Sequence, residues 1–186
     1  MFRTVLKETV RVLAPATLVL IGSTAAYAQT TVALPDSTQT TLLTATVSEQ
    51  ARIVVPANIS FSVNNIANST ASSAATVTVD RIVLSSATKQ LKVSVQAAAA
   101  SFTPPTVGAI TWSASDVTWN AASWTRASGV SGALSNLSFT QIATCDAAAA
   151  DCSTTDLVFT LGAKPTVNRA GAHTLIVTWK FESIGS

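Results

Sequence analysis

The chain has 186 residues, 48% of them hydrophobic and 11% charged, with a formal net charge of +2. Residues 1–28 carry Arg3, Lys7 and Arg11 against Glu8 alone, so the rest of the chain holds eight charges of each sign and is neutral. Neutrality without a Lys/Arg cluster excludes the dense positive surface by which proteins hold nucleic acid or anionic membranes, and a chain of this length suits one domain.

At the N-terminus the three basic residues precede an apolar run over 12–21 and then Ala26, Tyr27 and Ala28, an A-x-A pattern that places a signal-peptide cut before Gln29. Pro15, Thr17, Gly22, Ser23 and Thr24 interrupt the run, leaving less than the roughly 20 apolar residues a bilayer span needs. The expectation is export to the periplasm, the cell surface or beyond, with no membrane span in the mature chain. Residues 29–41, mostly Thr, Ser and small side chains, predict an extended arm with little to bury, and residues 42–186 the folded domain.

Residues 42–47, LLTATV, and 51–55, ARIVV, read as β, and Pro56 stops the ladder. Ile59, Phe61 and Val63 alternate with Ser60 and Ser62, which predicts a half-buried strand. Val77 and Val79 share one phase and Ile82 and Leu84 the other; the change at Asp80 and Arg81 implies a bulge. Leu91, Val93, Val95 and Ala97 give a clean strand. Short strands follow around Ile110 to Trp112 and Val117 to Trp119, then strands over 137–145 and 157–161 that read as partners. Last comes the strictest alternation in the chain, with Leu175, Val177, Trp179 and Phe181 set against Thr174, Ile176, Thr178 and Lys180 after a turn at Gly171. No window in the mature region has helical periodicity. Roughly eight to ten short strands with closely spaced turns predict an all-β fold, a single antiparallel β-sandwich of Ig-like or jelly-roll-like type after the cleaved signal peptide.

Cys145 and Cys152 are the two cysteines. In an exported chain they are expected to form a disulfide; C-x6-C is too wide for a thioredoxin-like pair, and one histidine cannot complete a zinc site. Such a bridge closes a short loop and stabilises by about 2–3 kcal/mol, as a pin on a local hairpin. His173 could act as a general base only with an oriented acid and a nucleophile, and nothing local supplies them, so a packing role is expected and no catalytic residue is assigned. Asp146, Asp151 and Asp156 lie five apart but match no calcium-loop spacing; neither a metal nor a cofactor is expected. Trp112, Trp119 and Trp124 are close in sequence. The first two alternate with polar neighbours and should be buried, whereas Trp124, in a Ser/Ala/Gly-rich connection, could stack on a sugar ring, which makes a carbohydrate-binding module the alternative to a purely structural role.

Three features together resemble secreted bacterial β-sandwich surface proteins of the fimbrial-subunit type: the signal ending Ala26, Tyr27, Ala28; the Thr-rich arm running into residues 42–47; and the closing strand led by Gly171. The resemblance implies a non-enzymatic, exported structural or interaction protein, possible partners being other copies of itself, envelope components or a glycan. It also implies an arm that can add to a neighbour's sheet edge. In that arm Leu43, Ala45 and Val47 would face one side and Leu42, Thr44 and Thr46 the other.

Overall fold

The computed structural model describes residues 31–35 and 37–186. The expected signal peptide, its cut and Gln29 lie outside the described residues. The chain divides into two units, Met1–Thr44 and Ala45–Ser186. In the first, the described residues form no strand, and Leu42 and Leu43 are 90% and 89% exposed. The β structure expected over 42–47 is therefore corrected: with side chains exposed on both sides and no neighbouring strand, nothing holds those residues in a ladder.

The second unit is an all-β antiparallel sandwich. Its strands are β1 (Gln50–Val54), β2 (Thr70–Ala71), β3 (Ala75–Val83), β4 (Gln90–Ala97), β5 (Val117–Trp119), β6 (Ala127–Gly129), β7 (Gly132–Ala133), β8 (Thr140–Cys145), β9 (Cys152–Leu157), β10 (Phe159–Leu161) and β11 (Val177–Ile184). One sheet has the order β11-β4-β8-β6. The others are β1-β3-β9 and β2-β10-β5-β7. Only Val158 separates β9 from β10; its N–H donates to Asn120 Oδ1 (2.8 Å) while Asn120 Nδ2 donates to the Asp156 carbonyl (2.9 Å), so one side chain takes over where the ladder breaks.

The core explains why alternation forms these strands. Val95, Ala97, Ile142 and Ala143 from β4 and β8 pack in one buried cluster with Ala75, Val77, Val117, Trp119, Leu157, Phe159 and Leu161 from the other two sheets. Most of these strands contribute alternate residues, and β8 buries the adjacent Ile142 and Ala143 where its register against β4 shifts; burying such side chains supplies the main driving force for closing the layers. Trp112 and Trp119 are buried, as their alternation implied, and each indole N–H reaches a carbonyl at 2.9 Å, that of Gly162 and that of Val130. The phase change at Asp80 and Arg81 is a bulge. Gln50 pairs with Val83 and Arg52 with Asp80, so β3 carries an extra residue there, with Arg81 at φ 51°. Arg52 spans the bulge by donating Nε and Nη2 to the two carboxylate oxygens of Asp80 at 2.7 and 2.5 Å.

Two pairings differ from expectation. Residues 137–145 and 157–161 are not partners: β8 pairs with β4 and β6, whereas β10 pairs with β5 and β2. The chain changes layer between β8 and β9. Cys145 and Cys152 are bonded to each other and fully buried in a second cluster with Val79 and Leu91, so the bridge fastens one layer to the other at a corner instead of pinning a hairpin. Ile110 to Trp112 forms no strand, only an isolated bridge beside it from Ser113 to Ser101, and residues 59–63 form none either.

Candidate functional site

The strand β11 is an edge. Val177, Trp179 and Phe181 lie opposite Ala97, Val95 and Val93 of β4, and residues opposite one another in a ladder share a face, so all three point inward. Their β4 partners are buried. They themselves are only half-buried, and among the described residues no strand pairs with the other side of β11. On its outer face the strand is polar: Glu182 takes hydrogen bonds or ion pairs from Lys180 (2.6 Å) and cross-strand Lys92 (2.8 Å), and Lys180 Nζ sits 5.4 Å from the Phe139 ring centre.

Beside this edge are two cavities that share part of their walls. The smaller, about 290 Å³, is lined by Leu175, Val177 and Trp179 together with Pro56, Ile59 and Phe61. The larger, about 740 Å³, continues past Val63 and Ile66 to a rim of residues 167–175. Three contacts set that rim. The Lys164 N–H donates to the Ile66 carbonyl (2.7 Å), Lys164 Nζ to Asp116 (2.8 Å), and the Ile110 N–H to Asn168 Oδ1 (3.0 Å). Burial raises the Asp116 pKa, but the Lys164 ammonium and the Ser113 N–H outweigh it and hold the carboxylate below its ordinary range. Gly171, at φ +132°, turns the rim toward β11; a Cβ there would stand 2.7 Å from Pro105.

His173 lies on this rim. Its Nε2 is 3.1 Å from the Arg169 carbonyl, which can only accept, so Nε2 carries the proton and Nδ1 accepts from Thr111 Oγ1 at 2.7 Å. The Trp112 ring meets the imidazole edge-on at 5.2 Å. Both ring nitrogens are thus engaged in holding the rim to the core, the packing role that the sequence suggested.

Trp124 is not the exposed platform the sequence suggested. It is half-buried against the main core, its Nε1 is buried without a hydrogen-bond partner, and a Cβ at Gly129 would stand 2.7 Å from its ring. Gly129 lies against the Cδ1–Nε1 edge of the indole. Asp151 is paired with Arg126 at 3.2 Å, and among the described residues no group of three or more His, Cys, Asp or Glu side chains is placed to hold a metal. Of the residues expected to matter, the cysteines are brought together, and Leu42, Leu43, Ala45 and Val47 stand exposed on a stretch outside any sheet. What sequence reasoning missed is the half-covered inner face of β11. The alternation that marked β11 as the closing strand gave no sign that its inner face would stay partly open. No protein-family model, curated protein or solved structure matches the chain.

Proposed function

We propose that this protein is an exported, non-enzymatic structural subunit of the bacterial cell surface, associating with other copies by adding residues 42–47 of one copy to the open edge of β11 in the next. The single observation that carries this reading is complementarity within one chain: Leu42, Leu43 and Val47 are 90%, 89% and 70% exposed, while the inward row of β11 stays half-covered beside an apolar cavity. Exposed apolar side chains and an unpaired sheet edge are each association-prone, and one strand addition removes both. Six extended residues span about 20 Å, enough to pair most of an eight-residue edge. The main-chain ladder supplies the attraction and alternate side chains entering the groove supply the selectivity. Because donor and acceptor surfaces differ, the contact is head-to-tail and propagates as a fibre unless it closes into a ring.

Deleting residues 29–48 tests this by light scattering. The expected result is loss of oligomers from a domain that keeps its β circular dichroism and cooperative melting. Full-length protein that stays monomeric at high concentration would overturn the reading.

A further inference from the structure

Residues 58–64 alternate as a strand does, yet among the described residues they pair with no strand. Ile59, Phe61 and Val63 are half-buried against the main core, and Asn58, Ser60, Ser62 and Asn64 between them are exposed. Among the described residues, no backbone group from 56 to 64 makes a hydrogen bond to another backbone group; the nearest such contacts are those of Asn65 and Ile66, at the far end of the segment. Side-chain burial of period two normally accompanies a ladder, because a segment that lays one face on a core also brings its N–H and C=O groups out of water and must satisfy them. Here the side chains have docked and the ladder is missing.

The location of the segment gives that gap a meaning. Pro56, Ile59 and Phe61 line the smaller cavity together with Leu175, Val177 and Trp179, so an unpaired extended segment and an edge strand border one apolar space. We infer that residues 58–64 are a latent strand, which acquires its ladder only when an extended segment of a second copy lies between it and β11. The inference rests on the arm-donation reading above and adds a second acceptor edge to it. A donor held on one side pairs only every other one of its backbone groups with the protein, whereas a donor held on both sides pairs nearly all of them and joins the two layers across the open flank. It also accounts for Ile59, Phe61 and Val63: they keep the core partly covered before association, at positions that already have the phase of a strand.

Hydrogen exchange of the full mature chain, compared between dilute and concentrated samples, tests this directly. In dilute protein the amides of residues 58–64 are expected to exchange freely. On association they should slow by at least about tenfold, together with the outward amides of β11 and those of residues 42–47. If residues 42–47 and β11 become protected while 58–64 still exchange freely, the latent strand is refuted and arm donation stands. If nothing in these three segments gains protection as concentration rises, both are refuted. A Ser62→Pro variant gives a second measurement, since proline removes an N–H that has no backbone partner in the single chain but would enter the ladder. Its thermal midpoint when dilute should stay within about 2 °C of the parent, with association weakened about tenfold or more. Unchanged association in a folded Ser62→Pro protein would refute the inference.

Discussion

Residues 58–64 and β4 begin from the same kind of sequence and end in opposite conditions. Leu91, Val93, Val95 and Ala97 alternate with polar residues as Ile59, Phe61 and Val63 do, but β4 lies between β11 and β8, hydrogen-bonded on both sides, and its inward side chains are 0 to 6% exposed. Among the described residues, 58–64 have no strand on either side and bury the same kinds of side chain only halfway. Alternation thus decides which face of a segment is apolar. Whether the backbone is paired depends on neighbours that can lie far away in the chain, or in another molecule.

The largest effect expected from breaking this comparison is in β4. Leu91→Ala should cost about 2–5 kcal/mol, the usual range for emptying a closed site, whereas Ile59→Ala, removing as many atoms from a half-open one, should cost roughly 1–2 kcal/mol. Urea unfolding of both variants in dilute solution measures the difference. Equal losses would mean that residues 58–64 are an ordinary part of the core, and the contrast would disappear. In the associated state the Ile59→Ala penalty should grow, because the groove then closes over that position.

Next in size is the disulfide. Replacing both Cys145 and Cys152 by Ser should cost about 2–3 kcal/mol by the loop-closure argument. Its position sharpens the comparison, because it ties β8 to β9 across the layers in a buried cluster with Val79 and Leu91, distinct from the cluster that Ile59, Phe61 and Val63 pack against. Phe181 of β11 packs against that cluster, but Leu175, Val177 and Trp179, which line the smaller cavity, pack against the other one. The double variant should therefore melt earlier and yet associate as the parent does, provided the measurements are made well below its melting point. Loss of association while the domain remains folded would show that the two sides are coupled.

How much of this was legible in the sequence follows from the same physics. The all-β fold, the bulge at Asp80 and Arg81, the strand β4 and the buried pair Trp112 and Trp119 all depend on local alternation, which a sequence displays directly. The pairing of β8 with β4 instead of with residues 157–161, and the disulfide's position between layers, depend on which distant strands meet, and alternation is silent about that. Trp124 shows a third limit. A tryptophan in a Ser/Ala/Gly-rich connection reads as exposed, but Gly129 leaves room for the indole to fold down onto the core. Of the candidate site, the apolar residues at the end of a Thr-rich arm were readable; the half-open face of β11 was not, because the lack of a neighbouring strand leaves no mark in a sequence.

The smallest expected effect concerns the root of the arm, where the exposed stretch meets β1. Glu49 lies one residue before β1 and accepts hydrogen bonds from the Ser85 N–H and from Lys89 Nζ, both at 2.9 Å, which ties the start of the domain to the turn between β3 and β4. Hydrogen bonding to Ser85, and then to Lys89, holds its pKa at about 2 against an ordinary value of 4.5. A carboxylate whose pKa is lowered by folding contributes its stabilisation fully above the unfolded value, here above about 4.5, and loses it as pH falls toward about 2. Between these limits the root of the arm should loosen while the buried core does not, since neither buried cluster contains an ionisable group. The Lys92–Glu182 pair on the outer face of β4 and β11, whose carboxylate is also held below its ordinary range, adds its own loss in acid, which the variant keeps. Glu49→Gln keeps the shape and removes the charge. It should leave the melting temperature at pH 7 slightly lowered and flatten the decline in stability between about pH 4.5 and 2 that the parent shows. Thermal melts across that range, with exchange at the amides of Ser85 and Gln50 as the local readout, measure it. An unchanged acid profile in the variant would mean that the carboxylate is free in solution, and that the arm leaves the domain without an anchor at this point.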